Sequence, residues 1–174
     1  MSSPAHLRPQ DLVLAIGMAT LDEVPSVRQL QGLSHASSPS RIHDALARLR
    51  GAGLVGRASG RVLKRALFII LRDAIRWMVP GEVGEETRGV PTAHSFGPLG
   101  DELVWSQAFV WPARVGFEGT MVGRSVQPLH PWAYGLASHL PAAHELFALT
   151  DSIRVGRARD QQLAKAHLAE RLNR

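Results

Sequence analysis

The sequence predicts a mainly α-helical amino-terminal domain that ends in a small β hairpin and is followed by a mixed α+β region. Three observations lead there. Apolar residues recur at helical spacing in three successive segments before residue 52, and an Arg-flanked turn, Ala58-Ser59-Gly60, separates two short extended stretches. Prolines and aromatics then concentrate between residues 80 and 135. The 174 residues, 45% hydrophobic and 20% charged, suffice for one ordinary domain or two small ones around a true core. The absence of cysteine excludes a disulfide framework, a thiolate zinc site and a thiol nucleophile, and makes a cytoplasmic location the expectation. The apolar run Leu12 to Leu21 is bounded by Asp11, Asp22 and Glu23 and reads as a helix, not a signal-peptide core. No stretch reaches the roughly 18 apolar residues of a membrane span.

The elements follow in order. Asp11 is expected to cap a first helix carrying Leu12, Ile16 and Ala19, and Ser26 a short second helix with Val27 and Leu30 on one face. Ser34 to Ser38 form a polar turn. The third helix is the best marked: Ser38 as N-cap, Pro39 at the first helical position, and Ile42, Leu46 and Leu49 as its apolar stripe until Gly51 and Gly53. Leu54-Val55 and Val62-Leu63 pair as a hairpin. From Leu63 to Val79 a helix apolar on most sides should be buried, either inside the monomer or against a second copy. Beyond it, turns and short strands packed around Trp105, Phe109, Trp111, Phe117, Trp132 and Tyr134 are expected, then helices over 142–153 and 160–172. The expected domains are 1–65, a connecting helix 66–80, and a region 81–174 for dimerisation, sensing or partner contact.

The net charge of +5 is unevenly placed. Residues 1–65 carry +5, residues 66–150 carry −3 and the tail from 151 carries +3. Between Pro39 and Arg65 stand seven Arg/Lys and one acid. Three helices and a basic hairpin in this order make a winged helix-turn-helix, whose third helix enters the major groove while the hairpin follows the backbone or minor groove. With Ile42, Leu46 and Leu49 inward, the 100° step turns Ser40, Arg41, Asp44 and Arg48 outward. Arg41 can present a fork to guanine, and Ser38 and Ser40 can meet phosphate near the positive helix end. Asp44 is suited to accept from cytosine or to hold Arg41 or Arg48 one turn away. Arg57 and Arg61 flank the hairpin tip and Lys64 follows it, in positions suited to phosphates.

Residues 8–65, and above all SPSRIHDALARLRGAGLV from Ser38 to Val55, resemble the winged-helix domain of bacterial transcriptional regulators of the broad MarR-like kind. The glycine that usually precedes the turn stands earlier, at Gly32. The resemblance implies double-stranded DNA as partner and Ser40, Arg41, Asp44, Arg48, Arg57 and Arg61 as contact residues, and the two-fold symmetry of operator binding, with the very apolar helix around Phe68 to Leu71, makes a homodimer the expectation. The remainder, with TRGVPTAHS (Thr87 to Ser95) and Val110 to Pro112, is similar to the second half of uncharacterised bacterial winged-helix proteins, which implies no mechanism.

Rival readings attach to particular residues. Thr92, His94 and Ser95 share a loop that invites a hydrolase reading, but no G-x-S-x-G elbow surrounds them, and a capped turn with local hydrogen bonds is the simpler expectation. His130, His139 and His144 match no metal-ligand spacing, so no metal or other cofactor is expected. The aromatics are expected to be core before they are an effector pocket. The RVGRAR stretch, Arg154 to Arg159, can add a phosphate contact or remain a solvated terminus. The same winged helix would also serve an antitoxin-like or defence-system interaction module, or a protein that binds RNA.

Overall fold

The computed structural model describes residues 6–173, which divide into two compact units, one of residues 6–67 with 129–144 and one of 68–128 with 145–173. The fold is mixed: helices dominate, and a small three-stranded sheet lies in the second unit. Among the described residues no helix is long and apolar enough to cross a membrane.

In the first unit, α1 (Pro9–Ala19) is buried along its length from Asp11 onward. Asp11 is not its cap. Arg8 holds that position in extended backbone, and Asp11, in the first turn, reaches back to accept the Arg8 N–H at 2.8 Å. With Pro9 at the first helical position, where a missing N–H costs nothing, the helix starts earlier than the acid suggests. Helix α2 (Val27–Ser34) opens with a reciprocal box: Ser26 Oγ accepts the Gln29 N–H, and the Gln29 side chain accepts the Ser26 N–H. It ends at His35 in left-handed backbone, φ 54°. Helix α3 (Pro39–Gly51) buries Ile42, Ala45, Leu46 and Leu49 and packs on both α1 and α2. Gly53, at φ 74°, turns the chain out of it. The hairpin is minimal: Val55 faces Val62, Gly56 N–H reaches Arg61 O at 2.9 Å, and Leu63 N–H reaches Leu54 O at 2.8 Å.

The helix after the hairpin is present but broken in register, as α4 (Lys64–Ile69), a π-helical turn over Ile70–Ala74, and α5 (Ile75–Met78). Leu67, Phe68, Leu71 and Ile75 are buried. Within the single chain, however, burial on most sides does not occur: Ile69 and Met78 are nearly half exposed and Trp77 is 79% exposed. A π turn winds more residues per turn, so side chains beyond it leave the stripe that α-helical spacing projects.

Residues 129–144 complete the first unit. Helix α7 (Trp132–His139) packs on α1 and α2. It is a helix where the neighbouring Pro128 and Pro131 point to a turn, and the helices expected from periodicity do not include it. Gly17 of α1 makes room for Leu136, and Gly135 lets α7 lie against the Leu33 carbonyl, where a Cβ would stand 2.5 Å from the oxygen.

In the second unit, β1 (Val83–Thr92) pairs antiparallel with both β3 (Met121–Val126) and β2 (Phe109–Pro112), and β2 runs parallel to β3, closing a three-stranded barrel. Gly89 is the residue at which β1 passes from one partner to the other. A Cβ there would lie 2.0 Å from the Trp111 carbonyl oxygen, so only glycine fits the crossing. A short α6 (Leu99–Glu102) lies between β1 and β2 in the chain. Helix α8 (Pro141–Val155) runs from the first unit into the second, and α9 (Ala158–Leu172) follows it.

Candidate nucleic-acid interface

All eight candidate contact residues lie in the first unit. Ser38 is the N-cap of α3, and its hydroxyl makes no capping bond. Ser40, Arg41 and Asp44 are exposed on the first turns of the helix, as its apolar stripe requires. The guanidinium of Arg41 lies over the Trp132 ring, 5.5 Å from its centroid, and donates weakly to Ser37 Oγ at 3.4 Å. Trp132 in turn meets His130 edge-on, and His130 Nδ1 accepts the Trp132 N–H at 3.2 Å. The exposed face of α3 is thus backed at its N-terminal end by an aromatic pair from α7 and its preceding turn. Sequence periodicity gives no sign of this support, because the partners lie far apart along the chain.

Arg48 is placed differently from the expectation. Its Nε and Nη2 donate to Asp11 Oδ2 and Oδ1 at 2.8 and 2.7 Å, a bidentate pair in which the acid is fully buried and the Arg48 side chain 17% exposed. Its ion-pair partner is therefore Asp11 of α1 and not Asp44 of its own helix. The hydrogen bond to Asp11 holds the guanidinium pKa above its ordinary value, against the effect of burial. On the hairpin, Arg57 is exposed, and Arg61 is exposed while donating from Nη1 to the Asp22 carbonyl at 3.0 Å, which ties the hairpin to the α1–α2 loop. Lys64 is exposed at the start of α4. Burial, followed by the charge of Arg41, holds the His130 pKa below the ordinary imidazole range, with Asp11 opposing weakly.

The second unit has its own polar centre. Thr92 Oγ1 and Trp111 Nε1 each donate to Asp151 Oδ2 at 2.7 Å, and Arg154 Nη1 donates to Asp151 Oδ1 at 2.5 Å. Arg154 also donates to the carbonyls of Val79, Pro80 and Gln127. The first arginine of RVGRAR is therefore a buried strut and not a surface charge, whereas Arg157 and Arg159 are exposed. Its surroundings are carbonyl-rich, which is what a buried guanidinium requires.

The Thr92 to Ser95 loop is satisfied over long range, not locally as expected. Thr92 is bound to Asp151, Ser95 Oγ accepts the Phe109 N–H, and His94 Nε2 lies 2.9 Å from the Gln107 carbonyl. A carbonyl only accepts, so His94 Nε2 carries a proton and donates. His94 is buried against Trp105 and Phe109 and lines a cavity of about 200 Å³ shared with Arg157 and Asp160. Thr92 Oγ1 thus donates to Asp151 and Ser95 Oγ accepts from Phe109, and His94 Nε2 is directed to the Gln107 carbonyl. Of the six aromatics expected to form a core, Trp111, Trp132 and Tyr134 are buried, whereas Trp105 is 39% exposed, Phe109 and Phe117 are half-buried, and Trp105 and Phe109 line the cavity beside His94. Among the described residues no three His, Cys, Asp or Glu side chains gather as a metal-binding group. No protein family matches the chain, and no curated protein or solved structure matches it at a significant level.

Proposed function

We propose that the protein is a cytoplasmic, sequence-specific regulator that binds double-stranded DNA through a winged helix-turn-helix formed by α1, α2, α3 and the hairpin. The observation that carries this reading is the exposure of Ser40 and Arg41 on the first turn of α3 together with Arg57, Arg61 and Lys64 on and beside the hairpin, in a segment whose charge is strongly positive. Arg41 reads base edges in the major groove, already extended across Trp132; the hairpin arginines and Lys64 hold phosphates. Arg48, held by Asp11, fixes the seating of α3 on α1. A homodimer through the exposed Ile69, Trp77 and Met78 would give the two-fold symmetry of a palindromic operator.

Selection of bound fragments from a genomic DNA library, followed by titration of the selected duplex, tests the proposal. Arg41→Ala should cost about 1–3 kcal/mol on the selected duplex and relax the preference at one base position, whereas Arg57→Ala should weaken all duplexes alike and lower the salt slope by about one. Three phosphate contacts per subunit, from Arg57, Arg61 and Lys64, correspond to a slope of log K against log salt of roughly −3. Equal affinity for all sequences across salt concentrations would overturn sequence-specific recognition.

A further inference from the structure

We propose that His35 and His139 form a two-imidazole site for a divalent first-row transition-metal ion, clamping the turn before α3 to the end of α7. Their Nε2 atoms face each other at 3.5 Å, with ring centroids 5.7 Å apart, on the surface of the first unit. That separation is long for an N–H···N hydrogen bond, whose usual range is about 2.7–3.2 Å. It is the bite of a metal ion: two nitrogens each about 2.05 Å from a cation and about 3.5 Å apart subtend roughly 117° at it, near the tetrahedral angle.

Two further features preorganise the pair. His35 occupies the left-handed position that ends α2, φ 54°, where glycine or asparagine is the usual choice and a histidine backbone is strained. That position aims the ring out of the turn and toward α7. Gly135 stands one turn before His139 on the same face of α7, and a Cβ added to it would lie 2.8 Å from Cδ2 of His35. The absent side chain brings the two elements to backbone distance and fixes the spacing of the imidazoles. No third protein ligand of the usual kinds joins them among the described residues, so water fills the remaining coordination positions. Such a site binds weakly and reversibly, prefers imidazole-seeking ions, and follows the Irving–Williams order. The reading does not depend on DNA binding, because its test is metal binding by the free protein.

The untagged full-length chain is titrated calorimetrically with Zn²⁺ and with Ni²⁺ near neutral pH, and Cu²⁺ is used at substoichiometric levels to broaden histidine ring protons in NMR spectra. One ion per chain is expected, with a dissociation constant on the order of 10–100 µM, and His35 and His139 should broaden before the other histidines. His35→Asn, which tolerates the left-handed backbone, and His139→Gln should each lower affinity about tenfold or more while leaving the metal-free melting temperature unchanged. No saturable binding below about 1 mM, or binding that persists unchanged in the double variant, overturns the site.

Discussion

Asp11 and Arg48, 37 residues apart in sequence, show how much a single pair constrains the seating of α3. Asp11 is fully buried, and its oxygens are engaged by the Arg8 N–H and the two guanidinium nitrogens of Arg48. Arg48→Met keeps the aliphatic stem but abandons that carboxylate, and should cost about 3 kcal/mol, read as a lower urea midpoint with an unchanged slope. Its effect on DNA affinity should then track the loss of folded protein. Asp151→Asn should be similarly costly in the second unit, because the buried Arg154 guanidinium would lose its carboxylate; the shift of Trp111 fluorescence reports it directly. For His130 the sign follows from a folded pKa depressed below the unfolded one. The neutral ring is favoured in the fold, so stability is complete above about pH 6.5 and falls as the unfolded state takes up its proton first on acidification. His130→Gln should flatten that acid limb in denaturation curves recorded between about pH 7 and pH 5.

At the scale of elements, periodicity makes α3 legible, since its buried stripe and capping residues are all local signals. The same reasoning places the hairpin and the helices α8 and α9 to within a few residues. It fails where the decisive contact is not local. Helix α7 is short, begins beside prolines and is buried on nearly every side, so it offers no amphipathic stripe, and only its fit against α1 and α2 makes it a helix. The π turn at Ile70–Ala74 is equally silent in sequence, because an extra residue in a helical turn leaves composition unchanged. Of the candidate interface, the charged face can be read, but not the Trp132 platform or the Asp11 anchor. Close packing at glycine gives the prediction proper to this scale. Gly89→Ala, with its Cβ forced onto the Trp111 carbonyl, should destabilise the second unit by about 3 kcal/mol or more, whereas Gly32→Ala, which meets nothing within 4 Å, should be neutral or slightly stabilising. Thermal melts of the two variants give the comparison.

For the whole molecule, the exposed Ile69, Trp77 and Met78 supply a test of association: if they are the dimer face, Trp77→Ser should shift sedimentation toward the monomer and leave the melt of each unit in place. The order of the chain through its two units has another consequence. The first unit is interrupted after Leu67 and resumes at Leu129, so during synthesis its three leading helices emerge long before the α7 segment that covers α1 and α2. Until residue 144 has left the ribosome, α1 and α2 lack the helix that packs on both of them. A fragment that ends at Leu67 should therefore expose the surface that Leu136 and Gly135 normally cover and should bind hydrophobic dyes as a loosely packed species.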